Sequence, residues 1–233
     1  MAARLGTLII HLARATARRP AVDALLSRAP YPAQVLDAVD GGRADTPAHA
    51  PHYPFPLSPG EVGCFQSHRA AWRTIGDAGW DGALILEDDV ELSDFFSEAC
   101  TIAAGHLNCL GYIQFNTRRV TGIPVVKKGA VELLRPPITP LRTSAQLVSR
   151  DASLRLLAAS DGKIDRPVDT FLQMHWLTGV RVHACSPAGV QDLTTITGGS
   201  TISQPRGPWG EALRSLRRHR YRSAIARLSK AAQ

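Results

Sequence analysis

The run Ala83–Leu86 is wholly apolar and ends at three adjacent carboxylates, Glu87, Asp88 and Asp89. Such a run suits a buried strand, and its charged end marks where that strand leaves the core. Three like charges in a row repel one another unless water, a cation or hydrogen-bond donors neutralise them. The end of a strand is also where open α/β sheets build their ligand crevices. On an extended strand Glu87 and Asp89 would point to one side and Asp88 to the other. Two same-side oxygens at a strand end can hold a hard divalent cation and leave positions for phosphate oxygens. Solvated loop acids are the plainer alternative.

The rest of the chain alternates strand and helix patterns. Residues 6–13 read as a first strand and 16–29 as a helix, with Thr16 as a cap and Pro20 near its first turn. Residues 33–42 read as a second strand ending in a glycine turn, followed by a Pro-, Ala- and His-rich surface loop to Leu57. Ser58 followed by Glu61 forms a capping box, with Pro59 at the first helical position, so a helix is expected to about Asp77, ending at Gly79. On it Glu61, Phe65, His68 and Trp72 share one face. A helix capped by Ser93 or Asp94, a strand over 111–117, a hairpin around Lys128–Gly129 and a strand over 143–149 follow. Two helices, 150–160 and 167–177, and a late strand over 180–187 complete the series. Alternating strands and helices argue for an α/β layered fold with a mostly parallel central sheet.

At 233 residues the chain can build one good-sized core with a small appendage. No apolar run approaches the roughly 20 residues of a membrane span. The apolar run Leu5–Ile10 is cut by His11 and lacks a cleavage site, so it reads as a strand and not a signal peptide. Cys64, Cys100, Cys109 and Cys185 form no C-x-x-C pair and read as buried small hydrophobes in a reducing compartment.

The net charge of +7 lies wholly in residues 206–233, which hold eight basic residues against Glu211; residues 1–205 are balanced. Leu213, Leu216, Tyr221, Ala224, Ile225 and Leu228 make a rough apolar stripe there, with Arg217, Arg218, Arg220, Arg222 and Arg227 on the remainder. This division gives a body, 1–205, and a basic amphipathic tail, 206–233. The tail fits an anionic membrane surface, or a helix docked on the core with a solvated basic face. A neutral body with a basic end argues against nucleic acid.

Several side chains near these signals have two readings. His68 on a helix face is either a hydrogen-bonded structural residue or part of a site with Ser67 and Cys64. Arg14, Arg18 and Arg19 follow strand one, where phosphates could dock, or they simply line a solvated helix start. Asp169 is favoured in a first helical turn by the dipole, and is equally a carboxylate able to accept a proton from a hydroxyl.

Taken together, residues 9–19, 35–41, 60–72, 83–92, 143–153 and 167–176 resemble the successive blocks of glycosyltransferase family 25, in the family's order. The combination of "GEVGCFQSH" with "LILEDDV" about twenty residues later carries the resemblance, which covers roughly residues 5–203. It implies a GT-A-like nucleotide-sugar-binding fold, a UDP-sugar donor, and inverting transfer to a hydroxyl of a glycan or lipid-linked oligosaccharide. It also implies a divalent ion, manganese foremost with magnesium as the alternative, at "EDD". By position, Asp89 and Glu87 are the metal ligands, and Glu stands where the family's motif opens with Asp. The catalytic candidates are Asp169, His68 and Glu61. The donor-binding candidates are Arg14, Arg18, Asp40, Ser67, Glu87, Asp88 and Ser200. His175 and His183 are alternative C-terminal metal ligands. The arginine-rich composition, 23 Arg to 4 Lys, agrees with a GC-rich bacterial genome and envelope glycan synthesis at the inner face of the cytoplasmic membrane.

Overall fold

The computed structural model describes residues 3–43, 53–162, 164–193 and 208–232. In chain order the elements begin with β1 (Leu5–His11), α1 (Arg19–Arg28), β2 (Ala33–Asp37), α2 (Pro59–Asp77), β3 (Gly82–Glu87) and β4 (Val90–Leu92). They continue with α3 (Phe96–Gly105), α4 (Leu107–Leu110), β5 (Tyr112–Phe115), β6 (Ile123–Lys128), β7 (Val131–Arg135) and β8 (Ala145–Ser149). The series ends with α5 (Arg150–Ala159), α6 (Val168–Leu172), α7 (His175–Thr178), β9 (Val182–Ser186), β10 (Val190–Asp192) and α8 (Pro208–Ala231).

Eight strands form one sheet in the order β2-β1-β3-β8-β5-β9-β7-β6. All but β7 and β8 run in one direction, as the pairing signs show. The α/β class and the dominant strand direction agree with the sequence reading. Successive residues of β1 feed opposite faces: Ile9 joins the cluster under α1 and α3, while Leu8 and Ile10 join that under α2, α5 and α6. The sheet is therefore covered on both sides, which explains strands that are apolar throughout.

Helix α2 forms where its signals put it. Ser58 Oγ accepts from the Glu61 amide at 3.2 Å and Glu61 Oε2 accepts from the Ser58 amide at 2.7 Å. The helix ends two residues before Gly79, which takes a left-handed φ of +64°. Gly63 allows close approach: a Cβ there would lie 2.6 Å from the Val39 carbonyl oxygen. That contact presses α2 against the segment after β2.

Four local expectations are corrected. The helix over 16–29 opens as a 3-10 turn, Thr16–Arg18, and Thr16 makes no side-chain cap. Helix α3 starts at Phe96, past Ser93 and Asp94, with no side-chain cap. The helix over 167–177 is two short pieces, α6 and α7. Cys109 is exposed and Cys64 partly so, while Cys100 and Cys185 are buried; all four are free thiols.

The C-terminal half of α8 rests on the body. Ile225 is buried, Ser229 Oγ donates to the Pro137 carbonyl at 2.7 Å, and the Tyr221 hydroxyl accepts from Arg166 at 3.1 Å. Arg217, Arg220, Arg222 and Arg227 face solvent. No helix among the described residues is long and apolar enough to cross a membrane.

Candidate active site

The acidic run is not a continued strand. β3 stops at Glu87, and Asp88 and Asp89 form the turn into β4, so strict side-to-side alternation does not extend through the three acids. The reason lies in the partners each acid finds. β1 and β3 pair in parallel with Ile10 opposite Glu87, which carries His11 to Asp88. His11 Nδ1 donates to Asp88 Oδ2 at 2.7 Å, and Arg18 Nη1 donates to Asp88 Oδ1 at 2.6 Å. Both Asp88 oxygens are thus engaged by the chain itself. The same Arg18 nitrogen lies 3.9 Å from Asp89 Oδ2.

Asp89 sits among like charges. Burial and the neighbouring Glu87 push its carboxyl up to about 6; Arg18 opposes this, while Asp88 and Asp192 add to it. Asp192 arrives through a two-stranded ribbon in which β10 pairs antiparallel with β4, and the Leu193 amide donates to the Asp89 carbonyl at 2.8 Å. The Arg142 guanidinium pairs with Asp192. Arg142 also has a left-handed φ of +82°, and it is the non-glycine residue with positive φ among those described. Its amide donates to Asp169 Oδ2 at 3.3 Å. A bulky residue held there marks a place where surrounding contacts outweigh backbone preference.

Glu87 turns to the α2 side of the sheet. Its Oε1 accepts from Thr143 Oγ1 at 2.7 Å and lies 3.1 Å from His68 Nε2. Burial alone would raise this carboxyl, but the His68 and Thr143 bonds and the Arg18 charge outweigh it and hold it below its ordinary value. His68 is 1% exposed, and its Nδ1 lies 3.1 Å from Gln146 Nε2. Cys64, His68 and Glu87 have ligand atoms within 4.8 Å of one another. Burial and the nearby carboxylates push the Cys64 thiol well up.

Asp169 opens α6. Its Oδ1 accepts from the Thr170 amide at 2.7 Å, and burial raises its carboxyl despite these bonds. Burial and the charges of Glu61 and Asp169 push the Tyr53 phenol up to about 12. Tyr53 meets Tyr221 of α8 edge to face, with ring centroids 5.5 Å apart.

The structure thus gathers Arg18, Glu87, Asp88 and Asp89, bonds Glu87 to both His68 and Thr143, and joins Asp169 to Asp192 through Arg142. Other sequence-predicted residues serve nearby joints. Glu61 closes the α2 cap. Ser67 Oγ donates to Gly63 O and accepts from the Val39 amide, at 2.7 and 2.8 Å. Arg14 pairs with Asp40 at 3.0 Å. Ser200 and the block around it lie outside the described residues. Neither His175 nor His183 falls in a metal-capable cluster among the described residues. His175 Nε2 is 3.4 Å from Ser229 Oγ under α8, and burial lowers both histidines.

His11, Arg142, Thr143, Gln146 and Asp192 were missed from sequence. His11 alone left a signal, as the polar break at the end of an apolar strand. The others reach the site through pairings distant in the chain.

Comparison with known proteins bears on the family of the chain. The profile of glycosyltransferase family 25, described as an LPS biosynthesis protein family, matches residues 5–125. Procollagen galactosyltransferase 1 of Danio rerio is 32% identical over 100 residues, 38% of this chain and 17% of that protein. The inactive glycosyltransferase 25 family member 3 of Mus musculus is 34% identical over 100 residues, with the same shares. The match thus spans about a sixth of the length of these relatives. Among solved structures, a glycosyltransferase involved in glycosylating the major capsid of PBCV-1 superposes with a TM-score of 0.37. That match has 14% identity and covers 68% of this chain and 67% of that one. With the profile covering just over half of its length, the chain belongs to glycosyltransferase family 25.

Proposed function

We propose that this chain is an inverting glycosyltransferase. It moves a sugar, galactose foremost, from a UDP-sugar to a hydroxyl of a lipid-linked or envelope glycan such as lipopolysaccharide. The observation that carries the reading is the crowded acidic turn after β3, with Asp89 pushed up to about 6 beside Glu87. A divalent ion fits these residues: Asp89 and Glu87 are hard oxygen donors, and the burial and like-charge repulsion that raise Asp89 are what a cation offsets. Manganese is the expected ion, with magnesium as the alternative. Bound at that turn, the ion supplies Lewis-acid stabilisation to a departing diphosphate.

The chain's own residues account for the remaining chemistry. Arg18, anchored on Asp88, and Arg14, braced by Asp40, bind diphosphate oxygens. Ser67 fixes the segment after β2 that borders the donor, and Ser200 is assigned to the donor by its position in the sequence alone. Asp169, raised by burial, accepts the proton of the acceptor hydroxyl. That oxygen forms its bond to the anomeric carbon on the face opposite the diphosphate. The bond from carbon to diphosphate oxygen breaks, UDP leaves with the electron pair, and the configuration inverts. Residues 1–205 form the catalytic unit. The solvent-facing arginines of 206–233 hold it to the anionic inner face of the cytoplasmic membrane, where a lipid-linked acceptor is presented.

A second reading, a catalytically silent relative that binds glycan, is favoured by the likeness to a mouse family member named inactive. A thermal-shift panel of UDP, GDP, CMP and their sugars, with and without manganese, separates the two. A ligand at about 100 times its Kd stabilises by about 2.7 kcal/mol. The transferase reading expects a UDP shift that needs manganese and disappears in Asp89→Ala. No shift with any nucleotide supports the silent relative.

A further inference from the structure

We infer that Gln146 and His68 are positioning residues. Gln146 fixes the His68 ring as its neutral Nε2–H tautomer, and that proton clamps Glu87 Oε1, leaving the second carboxylate oxygen to serve the donor site. Only that last step rests on the proposed transferase function.

Gln146 is the second residue of β8, which lies between β3 and β5, and is fully buried. Its Nε2 is 2.9 Å from the Thr143 carbonyl oxygen, which can only accept. The reversed amide would set two oxygens against each other, so the nitrogen must face Thr143. The same nitrogen lies 3.1 Å from His68 Nδ1. Its two hydrogens therefore go one to Thr143 and one to His68. Nδ1 must then be the acceptor, and the ring proton resides on Nε2. That nitrogen is 3.1 Å from Glu87 Oε1, which also accepts from Thr143 Oγ1 at 2.7 Å. The donors run in one direction, from strand β8 through helix α2 to the end of β3.

Gln146 Oε1 strengthens the point. It is buried with no hydrogen-bond partner among the described residues. Leaving an acceptor unmade is unfavourable, so this orientation is held by the work of the nitrogen and not by satisfaction of the whole amide.

Two consequences follow for the site. His68 then has no lone pair to offer a substrate, so in this reading it orients Glu87 and does not act as a general base. The Cys64–His68–Glu87 group is not a metal site in this state, because Nε2 carries a proton.

The test is a ring 1H–15N correlation spectrum of the full chain labelled with 15N-histidine. His68 is assigned by its absence from His68→Gln. The expected signature is an unprotonated Nδ1 and a protonated Nε2. Gln146→Glu replaces the donor with an acceptor, and His68 is expected to gain a proton on Nδ1. A wild-type ring protonated on Nδ1 overturns the assignment. So does loss of the Nε2 proton on adding one equivalent of zinc chloride, which would make the triad a metal site. If Gln146→Glu fails to fold, the wild-type spectrum still decides. If no nucleotide binds the protein, the transferase reading fails while the expected tautomer stands.

Discussion

Arg18 Nη1 and Asp88 Oδ1 are 2.6 Å apart although 70 residues separate them in the chain. The bond ties the turn after β1 to the turn after β3, so a guanidinium already sits at the acidic turn. Asp88 is buried, with a side chain only 8% exposed. In Arg18→Met its carboxylate keeps His11 alone, and breaking such a pair costs about 3 kcal/mol. Urea unfolding should show a lower midpoint with an unchanged slope. Asp88→Asn in the same chain should recover part of that loss, since the two act as a unit. Strictly additive losses would refute the coupling.

Asp89 is expected to weaken the fold at neutral pH. Its carboxyl stands at about 6, against an ordinary 3.8. The folded state therefore binds the proton more tightly than the unfolded chain. The stabilisation is fully present below the ordinary value and is lost as pH rises through about 6. That difference corresponds to about 3 kcal/mol. Asp89→Asn should melt roughly 6–12 °C higher than wild type at pH 7, and the gain should vanish toward pH 4. A variant no more stable at pH 7 would show that burial and the neighbouring carboxylates do not raise Asp89 in the folded chain.

Asp169→Asn should lower kcat by about two to four orders of magnitude while leaving UDP-sugar affinity within about twofold. Burial raises this carboxyl, and a base works only when deprotonated. The acid limb of the wild-type kcat profile should therefore lie above the ordinary carboxylate range, with rate lost as pH falls through it. A kcat that is unchanged in Asp169→Asn removes Asp169 as the base.

Arg142 separates backbone strain from charge. Its φ of +82° favours glycine. Arg142→Gly and Arg142→Ala both lose the pair with Asp192, but only glycine relieves the backbone. The glycine variant should be more stable than the alanine variant by about 1 kcal/mol in urea titrations. Equal stabilities would mean the backbone at 142 is not strained.

What could be read from the sequence tracks how local its cause is. Helix α2 was legible to the residue because Ser58, Pro59, Glu61 and Gly79 each act within one turn of their own position. The end of β3 was legible because apolar residues give way to charge in a single step. The pairing of β4 with β10 was not, because strands of three residues carry no periodicity and meet across about a hundred residues. Thr143 and Gln146 are ordinary in sequence; the register of β8 against β3 gives them their roles. Arg142 looks like any loop arginine until its backbone is seen.

Helix α8 offers the sharpest separation of a docked element from a membrane anchor. Ile225 is 4% exposed against the body, whereas Leu228, three residues on, is 49% exposed. If docking holds the helix, Ile225→Ala should destabilise the whole chain by about 2–4 kcal/mol. Leu228→Ala should stay within about 0.5 kcal/mol. Ser229→Ala, which removes the bond to Pro137, should lie between them at about 1 kcal/mol. Replacing Arg217, Arg220, Arg222 and Arg227 together with Gln should leave the melting temperature unchanged. The same variant should lose most of its binding to phosphatidylserine-containing vesicles, with a salt dependence that the wild type shows and the variant lacks. A helix that served only as an anchor would give the opposite pattern: Ile225→Ala would spare stability and weaken vesicle binding.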